Sequence, residues 1–256
     1  MRSLLSISLS CGRALRELEM DLLGWELPPI DIAMSEFPIR PDAVGTWCFR
    51  CGESIGIGEQ TDRGCASCRG CATPLVGVVR LGEYCPPLST RILQLKYMRW
   101  PAMARTLGIR LAQQVRASLP LDRFPQAVVA MPMPWIRSWW RGIDHAAVIA
   151  SGVASELDIP LVSPLSQRLG PTQASRSRTD RQRSSKRFHP RRRGSVSLQD
   201  VGRVLLVDDV RTTGASLRQA AICLRAAGAT EVIGAVLAVV PSPRRSRVQK
   251  VPQKWR

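Results

Sequence analysis

"VLLVDDVRTTGAS", residues 204–216, is the stretch of sequence that decides the fold of this 256-residue chain. Four apolar residues run directly into two adjacent carboxylates, Asp208 and Asp209. A continuous apolar run predicts a strand that is buried on both faces of a parallel sheet. Apolar residues recur at helical spacing over 215–227, so a helix is expected to follow at once. The two acids therefore lie at the carboxyl end of a strand, where open α/β sheets bind their ligands.

The loop between this strand and this helix has the chemistry of an anion site. The first N–H groups of a helix lack intrahelical partners, and the positive end of the helix dipole favours a negative charge. Thr212, Thr213 and Ser216 add hydroxyl donors, and Gly214 lets the backbone approach a ligand closely. The two carboxylates suit a group that donates hydrogen bonds. A ribose 5-phosphate satisfies both halves of the pattern, and an ordinary strand–turn–helix with two solvated acids is the alternative.

The rest of the chain predicts an α/β fold with a mostly parallel sheet flanked by helices, because strand-like and helix-like segments alternate. Strands are expected at 127–131, 161–162, 203–207 and 231–240, and helices at 102–117, 145–157 and 215–227. The expected regions are a partly helical leader (1–46, with an amphipathic helix around 13–23), a cysteine-rich module (47–88), the α/β domain (89–240) and a basic disordered tail (241–256).

Two C-x2-C pairs in the cysteine-rich module predict a metal site. Cys48 and Cys51 form the first pair, and Cys65 and Cys68 form the second after thirteen intervening residues. This spacing is typical of a zinc-ribbon-like site with four thiolate ligands, which is structural because no coordination position stays open. Cys71 makes a further x2 step and is an alternative ligand in place of Cys65 or Cys68.

The positive charge of the chain is concentrated in two segments. The formal net charge is +17, yet segment 171–194 alone holds nine Lys and Arg against one acid, and the tail 241–256 holds six and no acid. A polyanion such as nucleic acid or a phosphorylated substrate explains this pattern, and a solvated flank is the alternative. No apolar run is long enough to span a bilayer and no convincing export signal is present, so we expect a cytoplasmic location.

Residues 204–216 resemble the 5-phosphoribosyl-1-diphosphate (PRPP) signature of type I phosphoribosyltransferases at every place: four apolar residues, two acids, two free positions, two Thr/Ser, Gly, one free position, Thr/Ser. The resemblance implies a type I phosphoribosyltransferase-like fold, Mg²⁺ bound with PRPP, and a catalytic role for Asp208 and Asp209 at the ribose. It implies that the loop contacts PRPP through Arg211, Thr212, Thr213, Gly214, Ala215 and Ser216. In purine-salvage relatives a carboxylate stands where this chain has Thr212, which disfavours purine salvage and leaves the acceptor open.

The cysteine pairs and several short motifs together resemble the ComF family, which includes GntX-like proteins, over residues 46–240. The motifs are Leu95-Lys96-Tyr97, Met131-Pro132-Met133-Pro134, Arg141-Gly142-Ile143, Thr172-Gln173, Arg181 and Phe188. The resemblance implies a pyrophosphate loop with Arg137 and Arg141 near phosphates, and a mobile loop that brings Arg181 to the diphosphate. Lys96 is either a phosphate contact or a surface residue. Asp144-His145 replaces the usual Asn-Gln of the family, and we expect His145 on a helix surface.

The ComF family is linked to natural competence, so the resemblance implies a role in DNA uptake, with single-stranded DNA and competence or DNA-processing proteins as partners. One hypothesis is a phosphoribosyltransferase that binds Mg-PRPP and transfers phosphoribose to an unknown acceptor. The alternative is a single-stranded nucleic-acid-binding accessory protein in which PRPP is only a regulatory ligand or the transferase activity is lost. Salt dependence separates the two, since binding to many phosphates weakens steeply with salt.

Overall fold

A computed structural model describes residues 30–36, 38–56, 59, 63–98, 100–133, 143–167, 188–190 and 201–242. Its helices are α1 (Ile30–Glu36), α2 (Leu88–Met98), α3 (Pro101–Ser118), α4 (His145–Leu157) and α5 (Ala215–Ala226), with a 3₁₀ turn at Leu121–Arg123. Its strands are β1 (Gly77–Glu83), β2 (Ala127–Ala130), β3 (Leu161–Val162), β4 (Leu165–Gln167), β5 (Phe188–Pro190), β6 (Arg203–Arg211) and β7 (Glu231–Val239). None of the described helices is long and apolar enough to cross a membrane.

The main sheet has five strands in the order β1-β7-β6-β2-β3, and every neighbouring pair is parallel. The central position of β6 explains its continuous apolar run, since Val204 to Val207 are fully buried under helices on both faces. The strands β4 and β5 form a separate antiparallel pair. The α/β fold with a mostly parallel sheet is thereby confirmed.

Helices cover both faces of this sheet through apolar residues at helical spacing. On one face α3 buries Met103, Leu107, Leu111 and Val115 completely, each of them one turn after the last. The opposite face is covered by α5, whose buried residues are Leu217, Ala220, Ala221 and Leu224. Each buried leucine contributes about 1.5–3 kcal/mol relative to an exposed one.

Two glycines let α3 and α4 pack closely. A Cβ atom at Gly108 would lie 2.3 Å from the Ile149 carbonyl oxygen, and one at Gly152 would lie 2.4 Å from the Arg105 carbonyl oxygen. A larger residue at either position therefore pushes the two helices apart. This close pair forms the layer that supports the central strands from one side.

The predicted elements lie close to the observed ones, with two informative differences. The strand predicted at 203–207 continues to Arg211, because β7 runs beside it and pairs Asp208 with Val236 and Arg211 with Val239. The edge strand β1 lies within the range 47–88 assigned to the cysteine-rich module, yet it pairs with β7 of the main sheet. The helix expected around 13–23 and the tail from residue 243 lie outside the described residues.

Candidate functional site

Asp208 and Asp209 lie on the part of β6 that extends beyond its pairing with β2. The pairing with β2 ends at Val207, whereas the pairing with β7 continues to Arg211. Successive side chains of a strand point to opposite faces, so the two half-buried carboxylates leave the strand in different directions. The Asp209 N–H donates to Oδ1 of Asp208 at 2.9 Å, and the Val210 N–H donates to Oδ1 of Asp209 at 2.6 Å.

The carboxyl group of Asp208 is the more strongly perturbed of the two. Its burial, followed by the neighbouring charge of Asp209, raises the pKa of Asp208 to about 8. Asp208 therefore keeps its proton to a higher pH than an ordinary aspartate does.

Lys96 lies beside this acid pair. Its Nζ atom is 2.7 Å from Oδ2 of Asp209, and the two side chains are only 24% and 21% exposed. Lys96 stands in the last turn of α2, which follows the edge strand β1. The sequence left open whether Lys96 is a surface residue, and the structure brings it to the carboxylates at the end of β6.

The loop 212–214 exposes both threonines and leads directly into α5. Gly214 immediately precedes the helix with a φ of +74°, a left-handed conformation that glycine adopts without strain. The Ala215 N–H is 3.4 Å from the Thr213 hydroxyl, so it has only a weak partner. The start of α5 therefore offers backbone N–H groups, hydroxyl groups and the positive end of a helix dipole beside the two acids.

A cleft of about 150 Å³ separates this loop from the cysteine-rich segment. On the loop side it is lined by Arg211, Thr213, Gly214, Leu217 and Arg218, and on the other side by Arg50, Ser67, Thr73 and three cysteines among others. The Arg50 guanidinium is engaged by its own segment, since it donates to the Arg63 carbonyl at 2.9 Å and to the Cys71 carbonyl at 2.5 Å. Sequence reasoning did not single out Arg50 or Arg218.

Four cysteines form a compact cluster on the far side of this cleft. All four sulfur atoms of Cys48, Cys51, Cys65 and Cys68 lie within 4.8 Å of one another. The Sγ–Sγ distances are 3.6 Å for Cys51–Cys65, 3.7 Å for Cys48–Cys68 and 3.9 Å for Cys65–Cys68. Sulfurs placed tetrahedrally at 2.3 Å from zinc are about 3.8 Å apart. The four free thiols therefore fit a tetrahedral metal, and Cys71 is exposed outside this set.

The surroundings of Cys48 favour its thiolate form. A hydrogen bond from the Cys51 thiol is the main cause that lowers the pKa of the Cys48 thiol to about 4. The thiolate is the form of cysteine that binds metals, so the crowding of the four sulfurs favours the ligand state at one position.

The remaining candidate residues fall into two groups. Arg137, Arg141 and Arg181 lie outside the described residues. The prediction for His145 was wrong, because this residue is only 2% exposed at the start of α4. The Asp144 side chain caps that helix by accepting from the Ala147 N–H at 3.1 Å.

Comparisons with known proteins agree with these features. Residues 143–255 match the phosphoribosyl transferase domain. Competence protein F of Haemophilus influenzae is 29% identical over 192 residues, which are 73% of this chain and 81% of that protein. DNA utilization protein YhgH of Salmonella typhi is 28% identical over 190 residues, 72% of this chain and 80% of that protein. One solved structure, described as the allosteric regulatory enzyme of purine biosynthesis, overlaps 57% of this chain and 30% of its own chain, with 24% identity and a TM-score of 0.38.

Proposed function

Because the chain belongs to the ComF family of phosphoribosyltransferase-like proteins, we propose that it binds the magnesium complex of PRPP at the end of β6 and supports DNA uptake. The observation that carries the proposal is the position of an acid pair directly before an exposed hydroxyl-rich loop at a helix start. Asp208 and Asp209 accept hydrogen bonds from the ribose hydroxyls, and Thr212 to Ser216 hold the 5-phosphate. Lys96, Arg137, Arg141 and Arg181 are the proposed contacts to the diphosphate.

The charge balance of this site supports a ligand with both hydroxyl groups and phosphates. Lys96 already neutralises Asp209 in the free protein, since the two form an ion pair of 2.7 Å. A diphosphate beside the acid pair needs further positive charge. Mg²⁺ bound with PRPP supplies this charge, and it prefers carboxylate and phosphate oxygens of the kind present here. The acids then orient the ribose, and the loop fixes its phosphate end.

We also propose that the four-cysteine cluster holds a structural zinc ion. Four thiolates close the coordination sphere, so zinc here organises the segment and takes no part in transfer chemistry. The matched spacing of the four sulfurs supports this assignment. Cys48, Cys51, Cys65 and Cys68 are the proposed ligands.

The DNA-related part of the proposal rests on the relatives. One is named a competence protein and another a DNA utilization protein, and each is matched over about three-quarters of this chain. The net charge of +17 favours contact with a polyanion. Single-stranded DNA and DNA-processing proteins are the proposed partners.

Calorimetry on the zinc-loaded full chain tests the proposed site. We expect micromolar binding of PRPP in the presence of Mg²⁺, with only a weak dependence on salt because the loop is preorganised. A second titration with single-stranded DNA is expected to lose affinity steeply as salt rises. Pyrophosphate release in a screen of acceptors separates a transferase from a protein that uses PRPP as a regulatory ligand. If the folded, zinc-loaded protein does not bind PRPP, the PRPP site is refuted and nucleic-acid binding becomes the leading function.

Replacing Lys96 by methionine tests its proposed contact with the diphosphate. We expect the Kd for PRPP to rise about ten-fold or more, because an ammonium–phosphate hydrogen bond is lost. Ribose 5-phosphate lacks the diphosphate, so its Kd is expected to change less than about two-fold. Tyr97→Phe is the matched control, since Tyr97 is the next residue and is 81% exposed. Equal losses for both ligands would show that Lys96 acts on the acid pair alone.

A further inference from the structure

Glu53 is a charged residue that is almost completely buried between the cysteine cluster and the loop after β6. Its side chain is only 4% exposed. Burial of a carboxylate is costly unless it is paired and hydrogen-bonded, so the fold must hold this group for a reason. No motif in the sequence singles it out.

The backbone of Glu53 is hydrogen-bonded to the turn formed by Cys48 and Cys51. The Cys48 N–H donates to the Glu53 carbonyl at 2.8 Å, and the Glu53 N–H is directed at the Cys51 sulfur. The Gly52 N–H donates to the Cys48 carbonyl at 2.7 Å, and Gly52 has a φ of +78°, which closes the turn. The position of Glu53 therefore follows the position of the Cys48–Cys51 turn.

The side chain of Glu53 contacts the end of the sheet from which the loop after β6 begins. Its Oε1 accepts from the Ser242 N–H at 2.8 Å, just beyond β7. Its Oε2 is 3.6 Å from Nη1 of Arg211, the last residue of β6. Arg211 also lies against the turn of the loop, because a Cβ atom added at Gly214 would be only 3.1 Å from its Nε. One carboxylate thus joins the ends of two central strands to the base of the loop.

We propose that Glu53 is a positioning residue that links the metal-binding turn at Cys48–Cys51 to the loop 211–216 through Arg211. Metal loading of the cysteine cluster then fixes the carboxylate, the carboxylate fixes Arg211, and Arg211 fixes the loop. Loss of the metal releases the turn and leaves Arg211 without its counter-charge. Arg211 accordingly acts on the loop from the end of β6. The consequence for ligand affinity rests on the proposed PRPP site, whereas the link between metal and loop does not.

Hydrogen exchange of the full chain tests the link without any ligand. In zinc-loaded Glu53→Gln we expect at least ten-fold faster exchange of two hydrogen-bonded amides that report on the loop 211–216, with one zinc ion retained per chain. They are the Arg218 N–H, which donates to the Gly214 carbonyl at 3.0 Å, and the Val240 N–H, which donates to the Arg211 carbonyl at 2.9 Å. Wild type treated with a chelator is expected to show the same acceleration, and chelation of Glu53→Gln is expected to add less than two-fold. Amides of α3 report whether each variant is folded. Glu59→Gln is the matched control, because Glu59 is an exposed acid of the same segment that accepts from the Gly56 N–H.

A second variant changes Arg211, the other member of the ion pair with Glu53. Arg211→Gln is expected to accelerate exchange in the loop while zinc stays bound, and it decides the question if Glu53→Gln does not fold. Unchanged loop exchange in the folded variants, or in chelated wild type, would overturn the link. PRPP titrations complete the test, with an expected ten-fold rise in Kd for Glu53→Gln. Absence of PRPP binding by wild type refutes the proposed function only, since exchange still reports the link.

Discussion

Asp208→Asn is expected to make the protein more stable at pH 8 and unable to bind PRPP tightly. Burial and the charge of Asp209 raise the pKa of Asp208 to about 8, from an ordinary value of 3.8. The folded state therefore keeps a proton that the unfolded state has lost between about pH 4 and pH 8, and stability falls as pH rises through this range. Asparagine removes this penalty, and its Oδ1 can still accept from the Asp209 N–H.

This variant is expected to raise stability and to weaken PRPP binding, so a general loss of structure cannot explain both results. We expect a gain in stability at pH 8, seen as a Tm higher by at least about 4 °C, and this gain should shrink towards zero near pH 4. The Kd for PRPP is expected to rise about 100-fold, because asparagine cannot become the carboxylate that accepts the stronger hydrogen bonds from the ribose hydroxyls. Melting curves over a pH series and calorimetry at pH 8 measure both.

Asp122→Asn serves as the control for this substitution, since Asp122 is exposed on the 3₁₀ turn. It should change neither Tm nor affinity. A lower Tm of Asp208→Asn at pH 8 would contradict the burial argument, and unchanged PRPP affinity would contradict the ribose contact.

Cys48→Ser is expected to release the zinc ion and to unfold the cysteine-rich segment. Cys48 and Cys65 are each 1% exposed, and the small apolar cluster around them consists of the four cysteines and Ile55. So few apolar contacts around the sulfurs do little to stabilise their arrangement, and in the proposed site zinc supplies the difference. We expect a Tm lower by about 10 °C or more, measured together with zinc content and with hydrogen exchange at 48–52.

Cys71→Ser is the control that also decides between the candidate ligands. Cys71 is exposed and lies outside the cluster of four sulfurs, so its variant is expected to keep one zinc ion and the wild-type Tm. Cys85→Ser, also exposed, should behave in the same way. Zinc loss from Cys71→Ser, or zinc retention by Cys48→Ser, would show that the ligand set is wrong.

The parts of the molecule that sequence predicted well depend on local patterns. The helix over His145–Leu157 was predicted at the bounds that the structure has, because caps and helical periodicity lie within the segment itself. The four cysteines were predicted because metal-ligand spacing is a local signal. The acid pair and its loop were predicted because strand, turn and helix start are contiguous.

The parts that sequence missed depend on distant neighbours. Nothing near Glu53 indicates that its partners are Arg211 and Ser242, which lie at the other end of the chain. The length of β6 followed from β7 and not from its own residues, since two acids and an arginine have low strand propensity. The burial of His145 was missed because its environment is set by packing between elements, which periodicity alone does not specify.

The parallel pair β1–β7 joins an early part of the chain to a late one, since Gly77 faces Ile233 and Glu83 faces Val239. During synthesis from the N-terminus, β1 therefore has no partner strand until almost the whole domain has left the ribosome. The four thiols emerge well before that moment and need only one another to take up a metal. With zinc bound as proposed, the order of assembly runs from the Cys48–Cys51 turn to the sheet, and a newly made chain without zinc has an unpaired β1 strand and four free thiols at the same time.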